Sequence, residues 1–261
     1  MSSLRVTTAL QRATWLAVTG WQAEGVLAHD ETLPGVRFAV TDRRGGVSGG
    51  PYAELDLARH VGDEAAAVEL NRDRLASVLG VDAIAWMEQV HGRQVAVVEA
   101  AQEPPPQADA LVTATRGLAL AVLVADCTPV LAADARAGVV GVAHAGRKGL
   151  ALEVVPAMLA RMRELGATEI TARVGPAICG RCYPVPAQLQ DEVAAGVPEA
   201  RATAADGSPA LDIPAGVTAQ LIAHGATVTR VPGCSAEDPA LYSYRRDGGV
   251  TGRYAGLVWL T

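Results

Sequence analysis

Short apolar runs recur along the chain and are separated by polar turns, a pattern typical of a protein that mixes strands and helices. The runs are rich in Val, Ala and Leu and are bounded by Gly, Pro or Asp, which predicts strands. The predicted strands are GVRFAV, which comes first, and then AIAWMEQV, QVAVVEA, ADALVTA, LALAVLVAD, AGVVGVAHAG, EITARVGPAI, ATVTRVP and YAGLVWL.

Other stretches space their apolar residues as a helix does. In DEAAAVELNRDRLASVLG, Val68, Leu75 and Leu79 share one face and Gly80 marks the end of the helix. The segment KGLALEVVPAMLARMRELG predicts an amphipathic helix with a kink at Pro156. Two further helices are predicted at PAQLQDEVAAGV and PAGVTAQLIAHG. The order of elements favours one mixed α/β domain.

The predicted domain covers residues 35–261 and follows a poorly specified lead segment, residues 1–34. The proline-rich stretch at 103–106 is interpreted as a loop inside the domain. No internal repeat or low-complexity tract divides the chain.

Composition and charge restrict the possible partners. Half of the 261 residues are hydrophobic (50%) and the net charge is −6, so a large core is expected without a basic surface for nucleic acid. No stretch has the length of a membrane span, and the amino-terminal residues lack the apolar core of a signal peptide. We therefore expect a cytoplasmic protein that acts on a small-molecule substrate.

Three residues stand in turns that follow or interrupt strand-like runs. They are His91 in WMEQVHGRQV, Cys127 in VLVADCTPVLAAD and His144 in GVVGVAHAGRKG. Each is more often an ordinary buried or hydrogen-bonded residue when it occurs alone. Their shared setting, with Asp126 and Thr128-Pro129 placed at the end of a strand, predicts one catalytic or metal site built from all three.

Imidazole and thiolate are ligands that zinc prefers. Three protein ligands leave a fourth position for water or substrate, which is the catalytic arrangement. A zinc ion there would lower the pKa of that water to about 7. A zinc site at His91, Cys127 and His144 is the chemical hypothesis that these residues favour.

Other motifs give weaker signals. Cys179 and Cys182 form a C-x-x-C pair, but the glycine and prolines around them favour a structural loop near the site over a metal or redox centre. Arg43 begins the glycine-rich turn RRGGVSGG, which could hold an anion. Arg147 and Lys148 precede a predicted helix and could hold phosphate there. Among the remaining histidines, only His60 in ARHVGDE has a setting of interest.

Taken together, the strings RRGGVSGGPY, HVGDE, NRDRLA, QVHG, ADCTPVL, HAG, VGPAI and YSYRRDG…GRYAGLVWL resemble the bacterial YfiH-like laccase-domain family, also labelled polyphenol oxidase or multifunctional purine nucleoside phosphorylase and adenosine deaminase. The resemblance extends from about Val36 to Leu260. It implies an α+β fold, a single domain of packed mixed β-sheets flanked by helices, of the CNF-type cysteine-hydrolase-like kind.

The resemblance also implies a chemistry. It places a zinc ion, with copper as the other possibility, on His91, Cys127 and His144. It implies phosphorolysis of adenosine, inosine and methylthioadenosine, and deamination of adenosine. A copper-dependent phenol oxidase fits less well, because laccases need many more histidines.

The chain departs from the family pattern at three places that would touch substrate. Asp56 replaces an asparagine, Arg147-Lys148 replaces Trp-Arg after the HAG string, and Pro184 replaces a glutamate. Asp56 is expected to be unfavourable beside an anionic phosphate.

Two alternatives to the zinc enzyme remain. Cys127 could be the nucleophile of a metal-free amidase or hydrolase, with His144 or His91 as base, as editing of cell-wall precursors would require. The chain could also be a non-enzymatic binding protein built on a worn catalytic fold.

Overall fold

The computed structural model describes residues 25–261, which contain thirteen strands and five α-helices. The strands are β1 (Leu27–Leu33), β2 (Val36–Thr41), β3 (Ala83–Ala85), β4 (Val95–Val97), β5 (Ala110–Thr113), β6 (Leu118–Val124), β7 (Thr128–Asp134), β8 (Val139–Ala145), β9 (Thr171–Val174), β10 (Arg201–Thr203), β11 (Pro209–Leu211), β12 (Thr227–Arg230) and β13 (Tyr254–Leu260). The helices are α1 (Ala65–Leu79), α2 (Arg147–Ala151), α3 (Val154–Glu164), α4 (Ala187–Gly196) and α5 (Ile213–Ala223).

Two large mixed sheets form the centre of the molecule. One has the strand order β1-β2-β13-β6-β3 and the other the order β12-β9-β7-β8-β5-β4. Most neighbours are antiparallel, but β3 pairs in parallel with β6, β4 with β5, and β12 with β9. Strands β10 and β11 form a separate two-stranded ribbon.

The sheets pack face to face, and helices cover their outer faces. Alternate residues of β7 show this: Leu131 belongs to the core between the sheets with Phe38, whereas Val130 packs in the outer core with Met158. Helix α1 covers the other sheet, where Leu75 lies in the third hydrophobic cluster. The predicted single domain of packed mixed sheets flanked by helices is therefore confirmed.

The local predictions differ from the structure at β1 and β7, and they omit the short strands β10 and β11. The first strand is β1, which lies within the predicted lead segment and pairs antiparallel with β2; the remainder of that segment, residues 1–24, lies outside the described residues. Thr128 and Pro129 begin β7, although the sequence places them at the end of a strand. The apolar run continues through this position, so composition alone does not reveal the turn.

The helix after His144 also differs. It is two helices, α2 and α3, that separate at Glu153, whose φ of 64° is left-handed. Pro156 lies in the first turn of α3, where a missing N–H removes no helical hydrogen bond. The expected kink at Pro156 is thus a break three residues earlier.

The candidate site lies where the chain crosses from one sheet to the other. The chain leaves β6 in one sheet and enters β7 in the other, and Cys127 lies in the short connection between them. His144 is near the end of β8, and His91 lies in the loop between β3 and β4. Over residues 25–261, no helix is both long enough and apolar enough to cross a membrane.

Candidate metal centre

His91, Cys127 and His144 converge at one point. One ligand atom from each lies within 4.8 Å of the other two. Cys127 Sγ is 3.9 Å from His91 Nε2, and the two imidazole rings meet edge to face with their centroids 4.7 Å apart. The structure therefore brings together the three residues that the sequence proposes as one site.

The spacing of these atoms fits a zinc ion. Zinc binds sulfur at about 2.3 Å and nitrogen at about 2.0–2.1 Å, so a tetrahedral ion separates the two donors by about 3.5 Å. The Cys127–His91 distance of 3.9 Å is close to this. Gly146 leaves the space open, since a Cβ there would lie 2.8 Å from Cys127 Sγ and 3.3 Å from His91 Cδ2.

Asp109, which the sequence analysis missed, organises both histidines. Its Oδ1 lies 2.9 Å from His144 Nδ1, which leaves Nε2 of that ring as the free ligand atom. The same carboxylate accepts the backbone N–H groups of Val90, His91 and Gly92 at 3.2, 2.9 and 2.6 Å. These bonds hold His91 at its left-handed φ of 59°. An acidic residue opening an apolar strand was the available signal.

A second carboxylate fixes the turn that carries Cys127. Asp126 has a left-handed φ of 87°, which is uncommon for a residue other than glycine. Its side chain accepts hydrogen bonds from the hydroxyls of Ser235 and Ser243 at 2.6 and 2.7 Å, and from the backbone N–H of Arg245 at 2.7 Å. Three contacts from distant loops therefore hold this backbone geometry.

The protonation of the cluster favours a thiolate. Burial alone would raise the pKa of the Cys127 thiol, but the charge of His144 and the proximity of His91 outweigh it and lower the pKa to about 6. Burial would lower the pKa of His144, but the Cys127 thiolate and Asp109 raise it to about 9. The two shifts favour a thiolate beside an imidazolium in the metal-free site. The thiolate is the form that binds metal, and His144 would release its Nε2 proton to bind the same ion.

His91 and Cys127 stand at the boundary between two cavities, and His144 lines the larger one. The larger has a volume of about 520 Å³ and the smaller about 360 Å³. His91, Cys127, Arg147 and Tyr183 line both. A volume of this size is typical of pockets for small molecules.

The two cavities differ in character. The larger one has an apolar part, lined by Leu123, Ile178, Tyr183, Tyr244 and Ile213 among others, and cations at Arg245 and Arg253. The smaller one is bordered by Arg147 and Lys148. Among the residues that the sequence singled out, Arg147 lies at both cavities, Lys148 at the smaller one and His60 at the larger one.

Arg43 lies elsewhere. It borders a third cavity with Arg44 and Glu54, and its Nε donates to the Ala53 carbonyl at 2.7 Å. Its guanidinium also stacks on the ring of Tyr242, 4.5 Å from the centroid. The structure therefore does not bring Arg43 to His91, Cys127 and His144, and these contacts account for it as a structural residue.

Asp56 is not beside either of the two cavities at the metal centre. It is fully buried, and its Oδ1 accepts the backbone N–H groups of Arg253 at 2.8 Å and Ala58 at 3.1 Å. The expected conflict with phosphate is therefore corrected: Asp56 lines neither cavity, and it accepts the backbone N–H of Arg253, which lines the larger one. Burial raises its pKa to about 6.

Comparison with known proteins gives consistent matches over nearly all of the described residues. The family model described as multi-copper polyphenol oxidoreductase laccase matches residues 37–261. A purine nucleoside phosphorylase of Streptomyces coelicolor is 52% identical over 90% of this chain and 100% of its own length, and one of Mycobacterium tuberculosis is 47% identical over 86% and 92%. The crystal structure of the hypothetical protein YfiH of Bacillus licheniformis superposes with a TM-score of 0.80 at 27% identity, covering 89% of this chain and 99% of that one.

Proposed function

The chain belongs to the family described as multi-copper polyphenol oxidoreductase laccase, which contains the YfiH-like proteins, and we propose that it is a zinc-dependent purine nucleoside phosphorylase that also deaminates adenosine. The observation that carries the proposal is the position of His91 and Cys127 on the wall between two cavities of different chemistry. The names of its relatives from Streptomyces and Mycobacterium supply the substrate class.

The proposed zinc ligands are His91, Cys127 and His144. When bound by three protein ligands, zinc acts as a Lewis acid with one open position and makes water a nucleophile at neutral pH, which is the chemistry that deamination needs. Asp109 orients His144 and fixes which of its nitrogens is free, as outer-shell carboxylates do in metal sites.

We assign one substrate of phosphorolysis to each cavity. The aromatic and aliphatic wall of the larger cavity suits a purine ring, and Tyr183 and Tyr244 offer faces for stacking. Arg147 and Lys148 at the smaller cavity suit the phosphate, because charge-assisted hydrogen bonds to its oxygens are strong. A nucleoside in the larger cavity and a phosphate in the smaller one would then be neighbours at the wall that the cavities share.

In this proposal the protein promotes phosphorolysis by holding phosphate and nucleoside in a reactive arrangement. A phosphate oxygen forms a bond to the anomeric carbon of the ribose, the bond from that carbon to the purine nitrogen breaks, and its electron pair leaves with the base, which takes up a proton. Arg147 and Lys148 hold the attacking anion against the sugar, and the apolar wall excludes competing water. Holding two reactants in this geometry removes much of the entropic cost of their encounter.

A second candidate function is favoured by one specific observation. Cys127, His144 and Asp109 also have the order of nucleophile, base and orienting carboxylate, and the pKa of Cys127 is lowered to about 6. A metal-free cysteine hydrolase that cleaves amides would use this order. A copper oxidase has less support, since the chain has five histidines and multicopper centres need more.

Removing metal with a chelator distinguishes the zinc-dependent nucleoside enzyme from the metal-free hydrolase. The zinc enzyme releases hypoxanthine from inosine only with phosphate present, converts adenosine to inosine, loses both activities on treatment with chelator and recovers them with zinc. Cys127→Ser should abolish both, whereas His224→Gln, which removes an exposed histidine outside both cavities, should leave them unchanged. Full zinc occupancy without either activity would refute the proposal. Amide hydrolysis that survives chelation, with alkylation at Cys127, would establish the hydrolase.

A further inference from the structure

A second group of metal-binding side chains lies outside the site described above. Cys179, Cys182, Cys234 and Glu237 each place one ligand atom within 4.8 Å of the others. We propose that these four residues bind a structural zinc ion that ties together two loops at the wall of the larger cavity.

The four residues come from two turns of matching form. Cys179 and Cys182 are three positions apart, as are Cys234 and Glu237. In each pair the backbone N–H of the second residue donates to the carbonyl of the first at 3.0 Å. Two residues between ligands is the spacing that structural zinc sites use. The two turns therefore present their ligands as the two halves of such a site do.

Contacts between the turns already join the halves. The backbone N–H of Cys179 donates to Cys234 Sγ at 3.4 Å, and the Cys182 thiol donates to Glu237 Oε1 at 3.4 Å. The N–H of Ser235 also donates to the Ala177 carbonyl at 3.1 Å. An N–H directed at sulfur stabilises a thiolate, which is the form that a metal requires.

The donor set selects the metal and the type of site. Three sulfurs and one carboxylate complete a tetrahedron, so no position remains for substrate, and a closed site of this kind is structural. Without a cation, ionisation of two of these thiols is opposed: burial and the Cys234 thiol raise the pKa of Cys179, and burial, the Cys179 thiol and Glu237 raise the pKa of Cys182. A divalent cation reverses that opposition.

A disulfide explains the cluster less well. It would use two of the three sulfurs and leave the third thiol and the Glu237 carboxylate without a role. The remaining cysteine of the chain, Cys127, belongs to the other centre. The sequence analysis expects a structural loop without metal at Cys179 and Cys182. The proposal instead has a zinc ion holding this loop.

The two loops reach the larger cavity. The first carries Ile178 and Tyr183, which line it. The second carries Ser235, whose hydroxyl donates to Asp126 at 2.6 Å, one residue before Cys127. A zinc ion between the loops would hold one wall of the cavity and the turn that carries Cys127.

The experiment uses Cys127→Ser protein, in which the centre at His91, Cys127 and His144 lacks one of its proposed ligands. Purified Cys127→Ser protein should retain one zinc per chain, and X-ray absorption at the zinc edge should show three sulfurs at about 2.3 Å and one oxygen. This result does not depend on what the first centre binds or catalyses. Cys127→Ser protein that holds no zinc after loading, or in which mass spectrometry finds a disulfide between two of the three cysteines, would overturn the proposal.

Substitutions at Glu237 test the fourth ligand without disturbing the core, because this residue is exposed. In the Cys127→Ser background, Glu237→Gln should weaken zinc retention against a chelator by about tenfold or more, by loss of a charged ligand. Glu237→Cys should tighten it, and the matched exposed change Glu199→Gln should have no effect. Equal retention in the Glu237→Gln and Glu199→Gln proteins would contradict the assignment of Glu237.

Discussion

Asp109 Oδ1 lies 2.9 Å from Nδ1 of His144, and both side chains are buried. The same carboxylate also accepts hydrogen bonds from the backbone N–H groups of His91 and of its two neighbours in the loop. One side chain thus sets the orientation of a proposed ligand on a strand and of another on a loop. The geometry of the centre depends on a residue that is not itself a ligand.

Replacing that carboxylate should weaken metal binding more than its effect on folding explains. We expect Asp109→Asn to lower zinc affinity roughly 10–100-fold, because the amide no longer compensates the charge on His144 or fixes its tautomer. Competition with a chelator measures this. Asp134→Asn is the matched control, since Asp134 is a buried carboxylate that accepts four backbone N–H groups outside both cavities. Equal zinc affinity in the two variants would contradict the role given to Asp109.

A single methyl group at Gly146 should block the centre. Its backbone is extended, with φ −82°, so alanine is compatible with the chain path. The added Cβ would lie 2.8 Å from Cys127 Sγ, which forces the sulfur or the backbone to shift. We expect Gly146→Ala to lose the zinc ion of this centre, but not the one proposed at Cys179, and to lose phosphorolysis while remaining folded, as circular dichroism would show. Gly196→Ala, where a Cβ meets nothing within 4 Å, should retain both. Wild-type zinc content in Gly146→Ala would be inconsistent with the proposed site.

Lys148 gives a direct test of where phosphate binds, because it is the only lysine of the chain. An amine-reactive reagent therefore modifies one side chain besides the amino terminus. We expect inorganic phosphate to protect Lys148 from modification, as mass spectrometry of its peptide would show, whereas chloride at equal ionic strength should not.

The corresponding variant should affect one substrate more than the other. Lys148→Met should raise the KM for phosphate about tenfold or more, since a charge-assisted hydrogen bond is lost. The KM for inosine should change little, and Arg136→Met, at an exposed cation outside both cavities, should alter neither. Modification of Lys148 at the same rate with and without phosphate would exclude it from the phosphate site.

Asp56 predicts a pH-dependent stability. Burial raises its pKa from 3.8 to about 6, so the folded protein holds this proton more tightly than the unfolded chain. Ionisation of Asp56 therefore opposes folding above about pH 6, and the cost disappears as the pH falls toward the unfolded pKa of 3.8. We expect Asp56→Asn to stabilise the protein by up to about 3 kcal/mol at pH 8 and by much less at pH 4.5.

Denaturant unfolding at the two pH values measures this difference. The exposed change Asp82→Asn serves as the control and should give the same small effect at both. A stabilisation by Asp56→Asn that does not change with pH would show that Asp56 is not the group responsible.

The apolar runs and the motif spacing were sufficient to predict most of the architecture. Strand β2, helix α1 with its left-handed cap at Gly80, and the late strand β13 follow directly from local pattern and turn residues. The break at Glu153 does not, because a left-handed residue other than glycine has no local signal and depends on packing around it.

The residues of the candidate site also fall into two groups: those that the sequence predicts and those that only the structure reveals. His91, Cys127 and His144 are visible from the sequence because each stands in a distinctive short motif. Asp109 contributes through hydrogen bonds across strands, and the cluster of Cys179 with Cys234 joins segments 55 residues apart, so neither appears in any local pattern. Arg43 shows the converse: its motif suits an anion, but tertiary contacts with Ala53 and Tyr242 occupy it.

The central claim is that His91, Cys127 and His144 bind one zinc ion in the active enzyme. A crystal structure of zinc-loaded protein, measured with anomalous scattering at the zinc absorption edge, tests it most directly. The account predicts a peak bonded to Cys127 Sγ and to one nitrogen of each histidine, and its loss in Cys127→Ser crystals. No peak at these three residues, in protein that still releases hypoxanthine from inosine and phosphate, would contradict it.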